Sequence, residues 1–125
     1  MTVAETDLAR GAELIGDFNP LHVDASYARS TRFGGCILHG VLTSALMSAP
    51  FGNLVSGTAL GYLEHNARFL APVRPGDTLA IRWTVTALMA KPRHGGGMVA
   101  ADCTAHNQAG ELVATASGKM LVADG

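Results

Sequence analysis

Apolar residues recur along this chain with two different periods, and the change of period near residue 57 divides it. On the N-terminal side the spacing is helical: Leu8, Ala12 and Ile15 share one face of a segment that Thr6 can cap and that Gly16 can end in a left-handed turn. Asp24 can cap a short helical turn carrying Tyr27 and Ala28, Ser30 to Gly35 reads as loop, and residues 17–35 are expected to form a long, mostly irregular overhang. From His39 to about Pro50 the residues are apolar or small around most of the circumference, which predicts a helix enclosed by other elements on nearly all sides. That run is far shorter than the ~20 residues a membrane-spanning helix needs, so protein must cover it.

Beyond the Gly52 to Gly57 connection the pattern alternates. Strands are predicted over Thr58–Leu70, Thr78–Leu88 with Leu79, Ile81, Trp83 and Val85 on one face, Met98–His106 and Glu111–Val122. Turn residues punctuate them at Pro72 to Asp77, Lys91 to Gly97 and Asn107 to Gly110, with Gly95 to Gly97 expected to make a flexible hairpin tip. One buried helix followed by long antiparallel strands is an α+β layout, and a sheet covering such a helix must curl about it.

Length and composition narrow the picture. A chain of 125 residues with 48% hydrophobic content suits a single domain, residues 1–125, with a real core. Nine basic against ten acidic residues, no basic run and 6% aromatics leave no electrostatic footprint for nucleic acid or an anionic membrane. The first residues lack a positive and then apolar leader, so a cytoplasmic location is expected. Cys36 and Cys103 make neither a disulfide framework nor a metal-ligand spacing, and Cys103 reads as a small core residue.

The densest chemistry lies in Gly16-Asp17-Phe18-Asn19-Pro20-Leu21-His22, with His39-Gly40 seventeen residues further on at the head of the apolar helix. Pro20 lacks an amide hydrogen and keeps Asn19 out of helical geometry, so an acid and an imidazole five residues apart ride on a constrained loop. From spacing alone this segment is equally a turn with a surface histidine or a loop presenting catalytic groups.

These residues, followed by Phe33-Gly34-Gly35-Cys36-Ile37-Leu38-His39-Gly40-Val41-Leu42 and more loosely by Ala67-Arg68-Phe69 and Val73-Arg74-Pro75-Gly76-Asp77, resemble the signature of the MaoC-like, (R)-specific enoyl-CoA hydratases. Two positions depart from the family pattern: Ile15, where a small or hydroxyl residue is usual, and Gly11-Ala12, where an aromatic is usual. The resemblance implies the hot-dog fold, which agrees with a sheet curled around one helix. It implies a lyase that adds water to a trans-2-enoyl thioester, giving the (R)-3-hydroxyacyl thioester, or the reverse dehydration. Asp17 and His22 would hold the water and move its protons, while Asn19 and Pro20 shape the loop. The Gly40 N–H would bind the thioester oxygen, and Ser48, about two turns further along, would lie near the acyl group. A coenzyme A or acyl-carrier thioester as substrate, a homodimer, and no metal or redox cofactor are also implied.

Two other readings belong to different classes. An acyl-thioester-binding subunit of a heteromeric dehydratase would have no chemical need for both Asp17 and His22. A hot-dog thioesterase usually presents a carboxylate from the central helix, and residues 40–50 contain no acid or base. Smaller constellations carry less. Cys36 with His39 lacks a third orienting group, Asp102 with His106 lacks a third ligand, His65 and His94 belong to no motif, and Gly95 to Gly97 lacks the spacing of a phosphate loop. Arg68, Arg74, Lys91 and Arg93 near strand ends read as solvated surface, with coenzyme A phosphates as the other possible partner.

Overall fold

A computed structural model describes residues 1–124. Helix α1 spans Glu5–Ile15, and its start is set by Asp7 rather than by the predicted cap Thr6. The Asp7 carboxylate accepts the Ala4 N–H at 2.8 Å, reaching back from the first turn to an amide the helix leaves unpaired. Gly16 ends the helix at φ 76°, as expected, and its N–H donates to the Ala12 carbonyl. Leu8, Gly11 and Ala12 are buried, whereas Ile15, expected on the same face, is 41% exposed at the helix end.

The overhang is more ordered than its sequence suggests. Pro20 opens a short helix α2, Pro20–Val23, at the one position where its missing N–H costs nothing, and the Asn19 side chain accepts the Leu21 N–H at 3.0 Å. Helix α3, Ala25–Arg29, follows, with Asp24 accepting the Tyr27 N–H as predicted.

The central helix α4 spans Gly40–Leu54, running past Pro50 instead of stopping there. Pro50 is exposed, and the next residue, Phe51, is buried and stacked on Trp83 at 4.7 Å between ring centres. That packing carries the helix beyond its lost hydrogen bond. Four strands follow: β1 Ala59–Phe69, β2 Ala80–Lys91, β3 Gly96–His106 and β4 Leu112–Ala123. They form one antiparallel sheet in the order β1-β4-β3-β2. Leu79 is buried and Ile81 and Trp83 half-buried as expected; Val85 pairs with the buried Ala101 and so shares their face, but on the edge strand β2, just before a bulge between Val85 and Ala87, it is 51% exposed. Gly96 is a close approach and not part of a loose tip, because a Cβ there would lie 1.8 Å from the Val122 carbonyl oxygen.

Thr43, Met47 and Phe51 form the stripe by which α4 seats on the sheet, and the Trp83 indole N–H donates to the Met47 carbonyl at 2.7 Å. Cys103 lies in this core, as its composition suggested, at 2% exposure. The enclosure of α4 is only partial, however: Val41 is 61% and Leu54 74% exposed, so a helix apolar on all sides is covered on one.

Truncating Phe51 to Ala removes the largest fully buried side chain and its stack on Trp83. The expected loss is about 3–5 kcal/mol, measured as a lower urea midpoint at unchanged slope. A loss below ~1 kcal/mol would show that α4 is held by other contacts.

Candidate active site

Asp17, Asn19 and His22 come together where α1 ends and α2 begins, and backbone geometry accounts for their placement. The Gly16 turn throws the chain off α1, and the Asn19 N–H donates to Asp17 Oδ1 at 3.1 Å. Asn19 then caps α2, so its side chain builds the loop and its amide steadies the carboxylate. His22 lies in the single turn of α2 that Pro20 starts.

Both ring nitrogens of His22 have defined surroundings. Nδ1 lies 2.8 Å from the Ile37 carbonyl, which can only accept, so Nδ1 carries the hydrogen and, in the neutral ring, Nε2 offers its lone pair. Nε2 faces Asp17 Oδ2 at 4.0 Å. The gap is too long for a direct hydrogen bond and leaves room for an oxygen that both groups can reach. The His22 side chain is 12% exposed and that of Asp17 48%, so the pair is open from the Asp17 side. One acceptor nitrogen beside one carboxylate, both pinned from behind, is an arrangement able to orient a small hydroxylic molecule and shuttle its proton.

The sequence pattern missed a third member, His39. The motif showed it only as a conceivable base for Cys36, yet its Nε2–H donates to the Asp17 carbonyl at 2.9 Å and its ring stacks on His22 at 3.8 Å between centres and 24° between planes. A histidine capping a buried helix beside an Asp/His loop was the available signal. The small residues at Gly11-Ala12 acquire a use here, since a Cβ on Gly11 would come within 2.1 Å of Leu42 and 3.8 Å of His39 Nδ1. A glycine lets α1 close over the start of α4.

Ligand atoms of Asp17, His22 and His39 all lie within 4.8 Å of one another, which raises the question of a metal. The rings do not suit one. Histidine binds an ion through lone pairs in the ring plane at ~2.0–2.1 Å, and two nearly parallel stacked rings point those lone pairs along separate planes instead of converging. His39 Nε2 is in addition committed to the Asp17 carbonyl.

Gly40 follows directly on His39 as the first residue of α4, where the N–H has no intrahelical partner. A Cβ at Gly40 would press on the Phe69 ring at 3.1 Å. Ser48 is not brought to the Asp17/His22 pair. It donates to the Ala45 carbonyl at 3.0 Å and lines a separate open cavity of about 310 Å³ with Val41, Ser44, Ala45, Tyr62 and His65. Within that cavity Ser44 Oγ lies 2.6 Å from His65 Nε2, and the Tyr62 hydroxyl lies 3.0 Å from Nδ1, so the motif-free His65 ties α4 to β1. Ser44 sits inside the helix, where backbone amides are engaged and none is left to hold an oxyanion, so the cluster is a cross-link.

An antiparallel sheet wrapped on one long helix, with an Asp/His pair on the loop overhanging the helix start, is a hot-dog fold. The chain belongs to the MaoC-like domain family, whose model matches residues 1–106. It is 40% identical over 88 residues to an (R)-specific enoyl-CoA hydratase of Rhodospirillum rubrum, covering 70% of this chain and 61% of that one. It is 39% identical over 82 residues to the enzyme of the same name from Aeromonas caviae, covering 66% and 61%. Among solved structures, the R-hydratase PhaJ1 of Pseudomonas aeruginosa superimposes with a TM-score of 0.87 at 34% identity, covering 100% of this chain and 77% of that one. The matched segment thus spans about three-fifths of the length of the curated relatives.

Burial lowers the His65 pKa below its ordinary value of 6.5. The unfolded chain then takes up this proton before the folded one, so stability is lost as pH falls through the ordinary histidine range and the loss is complete below the folded value. A His65→Gln protein should show a smaller drop in melting temperature between pH 7.5 and 5 than the parent. An identical drop would mean that other groups carry the acid sensitivity.

Proposed function

We propose that this chain catalyses the hydration of trans-2-enoyl thioesters to (R)-3-hydroxyacyl thioesters, and the reverse dehydration, with Asp17 and His22 handling the water. The observation that carries the reading is the pair itself: a carboxylate steadied by the Asn19 amide, facing the acceptor nitrogen of a histidine fixed at Ile37, 4.0 Å away. The names of the relatives at 35–40% identity point to the same chemistry.

A water bridging Asp17 Oδ2 and His22 Nε2 loses a proton to the pair as its oxygen bonds to C3 of the enoyl group. The C2–C3 double bond shifts its electrons toward the thioester carbonyl, giving an enolate-like oxygen, and C2 then takes a proton from the pair. The Gly40 N–H, at the positive end of α4, is the donor we assign to that oxygen. His39 joins the two parts, because the residue that precedes Gly40 also touches Asp17 and His22. Coenzyme A or a carrier protein would enter as part of the substrate, and no metal or redox group has a step.

We assign the same protein a homodimer. Support comes from the open flank of α4 with Val41 and Leu54, and from β1, an edge strand paired to β4 on one side only and carrying exposed Leu60, Tyr62 and Leu63. Protein edges of this length are normally covered. Sedimentation at micromolar concentration should show no stable monomer, and an active monomer would remove this assignment.

Asp17→Asn and His22→Ala should each slow hydration of crotonyl-CoA at least ~100-fold, the scale of losing a positioned acid or base. The double variant should be little worse than either single one, since the pair acts on one water. Loss of the conjugated thioester absorbance reports the rate, and near-parental turnover in either single variant would overturn the reading. Gly40→Pro deletes the donor at a position where helices accept proline and should cost ~100- to ~1,000-fold. Gly40→Ala keeps the donor, and its smaller loss comes from crowding Phe69.

A further inference from the structure

We propose that His39 is the positioning residue of this site, fixing the distance between Asp17 and His22 and tying both to the start of α4. The inference rests on the reading of Asp17 and His22 as the proton-handling pair. Three attachments meet in this one residue. Its backbone carbonyl accepts the Leu42 and Thr43 amides at 3.0 and 3.1 Å, making it the N-cap of α4. Its Nε2–H donates to the carbonyl of Asp17 at 2.9 Å, and its ring covers one face of His22 at 3.8 Å.

The chemistry of each contact says what it controls. A carbonyl oxygen only accepts, so Nε2 carries hydrogen and the bond holds the main chain of Asp17, leaving the carboxylate to face His22. The stack blocks rotation of the His22 ring, while the Ile37 carbonyl holds its edge. Loops of this kind otherwise move with some freedom, and a misplacement of ~1 Å is enough to cost ~100-fold in a positioned reaction.

A purely structural histidine would be expected to satisfy both nitrogens. His39 is 1% exposed, and its Nδ1 has no hydrogen-bond partner among the described residues. A phenylalanine would fill the same space without burying an unpaired acceptor, so packing alone does not explain the imidazole. The Nε2–H toward the loop is the feature a phenylalanine cannot supply.

The test compares His39→Phe, which keeps the ring stack and loses the donor, with His39→Gln, which keeps an amide donor and loses the stack. The melting temperature of the Phe variant should equal or exceed the parent's. With crotonyl-CoA its kcat should fall ~10- to ~100-fold while KM changes less than ~3-fold. Hydrogen exchange of the residue 17–22 amides should quicken in the same variant, a readout that does not need activity. The Gln variant should lose less in kcat than Phe, and it carries the same kcat and exchange test should Phe fail to fold. Parental kcat together with parental exchange over residues 17–22 in a folded variant overturns the positioning role. Asp17→Asn serves as the reference. If it is inactive while His39→Phe turns over normally, the hydratase reading stands and this inference fails. If Asp17→Asn is itself active, the reading of the pair fails, and the exchange data alone decide what His39 holds.

Discussion

The seating of α4 on the sheet is the constraint on which the rest of this structure depends. Thr43, Met47 and Phe51 lie one turn apart on one stripe, and Trp83 grips that stripe from β2 through its indole N–H and its stack on Phe51. Once the stripe is fixed, the direction and start of the helix are fixed too. His39 and Gly40 then lie at a defined place above the sheet, and everything attached to His39 inherits that precision. The site is therefore a loop referenced to a rigid element, which is how mobile connections come to hold groups at chemical tolerances.

Asp17 and His22 are held largely through backbone groups. The Asn19 amide meets the carboxylate, the Ile37 carbonyl meets Nδ1, and the Asp17 carbonyl meets His39. Backbone partners leave the chemistry to the side chains: Asp17 keeps Oδ2 and His22 keeps Nε2 toward one gap, and among the described residues no other side chain hydrogen-bonds to either atom. Pro20 contributes by what it lacks, since a residue with an N–H at that position would add an unpaired donor to the first turn of α2.

Much of this was legible in the sequence, for identifiable reasons. Alternation over Leu79, Ile81 and Trp83 located β2, and the glycine at residue 16 located the end of α1, because these are local rules read over a few positions. What failed depended on packing. Val85 keeps the face of the buried Ala101 yet is left uncovered on the edge strand β2, which no local period encodes, and α4 outran Pro50 because Phe51 has a partner in Trp83 more than thirty residues away. Asp17 and His22 were visible as a motif, whereas the role of His39 depends on a fold that lays residue 39 over residues 17 and 22. Ser48, about two turns along α4, shares a cavity with Ser44 and His65, apart from Asp17 and His22.

Asp17 and His22 sit beside His39 at the start of α4, while Ser44 and Ser48 belong to the part of the helix left open along with Val41 and Ala45. A helix apolar around its whole circumference but covered along one stripe carries a large unfavourable exposure to water. The same open flank lies next to β1, the edge strand with unpaired backbone groups, and the two are tied by Ser44, His65 and Tyr62. One further surface laid across both would relieve the exposure and the unpaired edge together. It would also close the cavity that Ser48 lines, so the open flank, the free edge and that cavity all meet at the same few residues of α4.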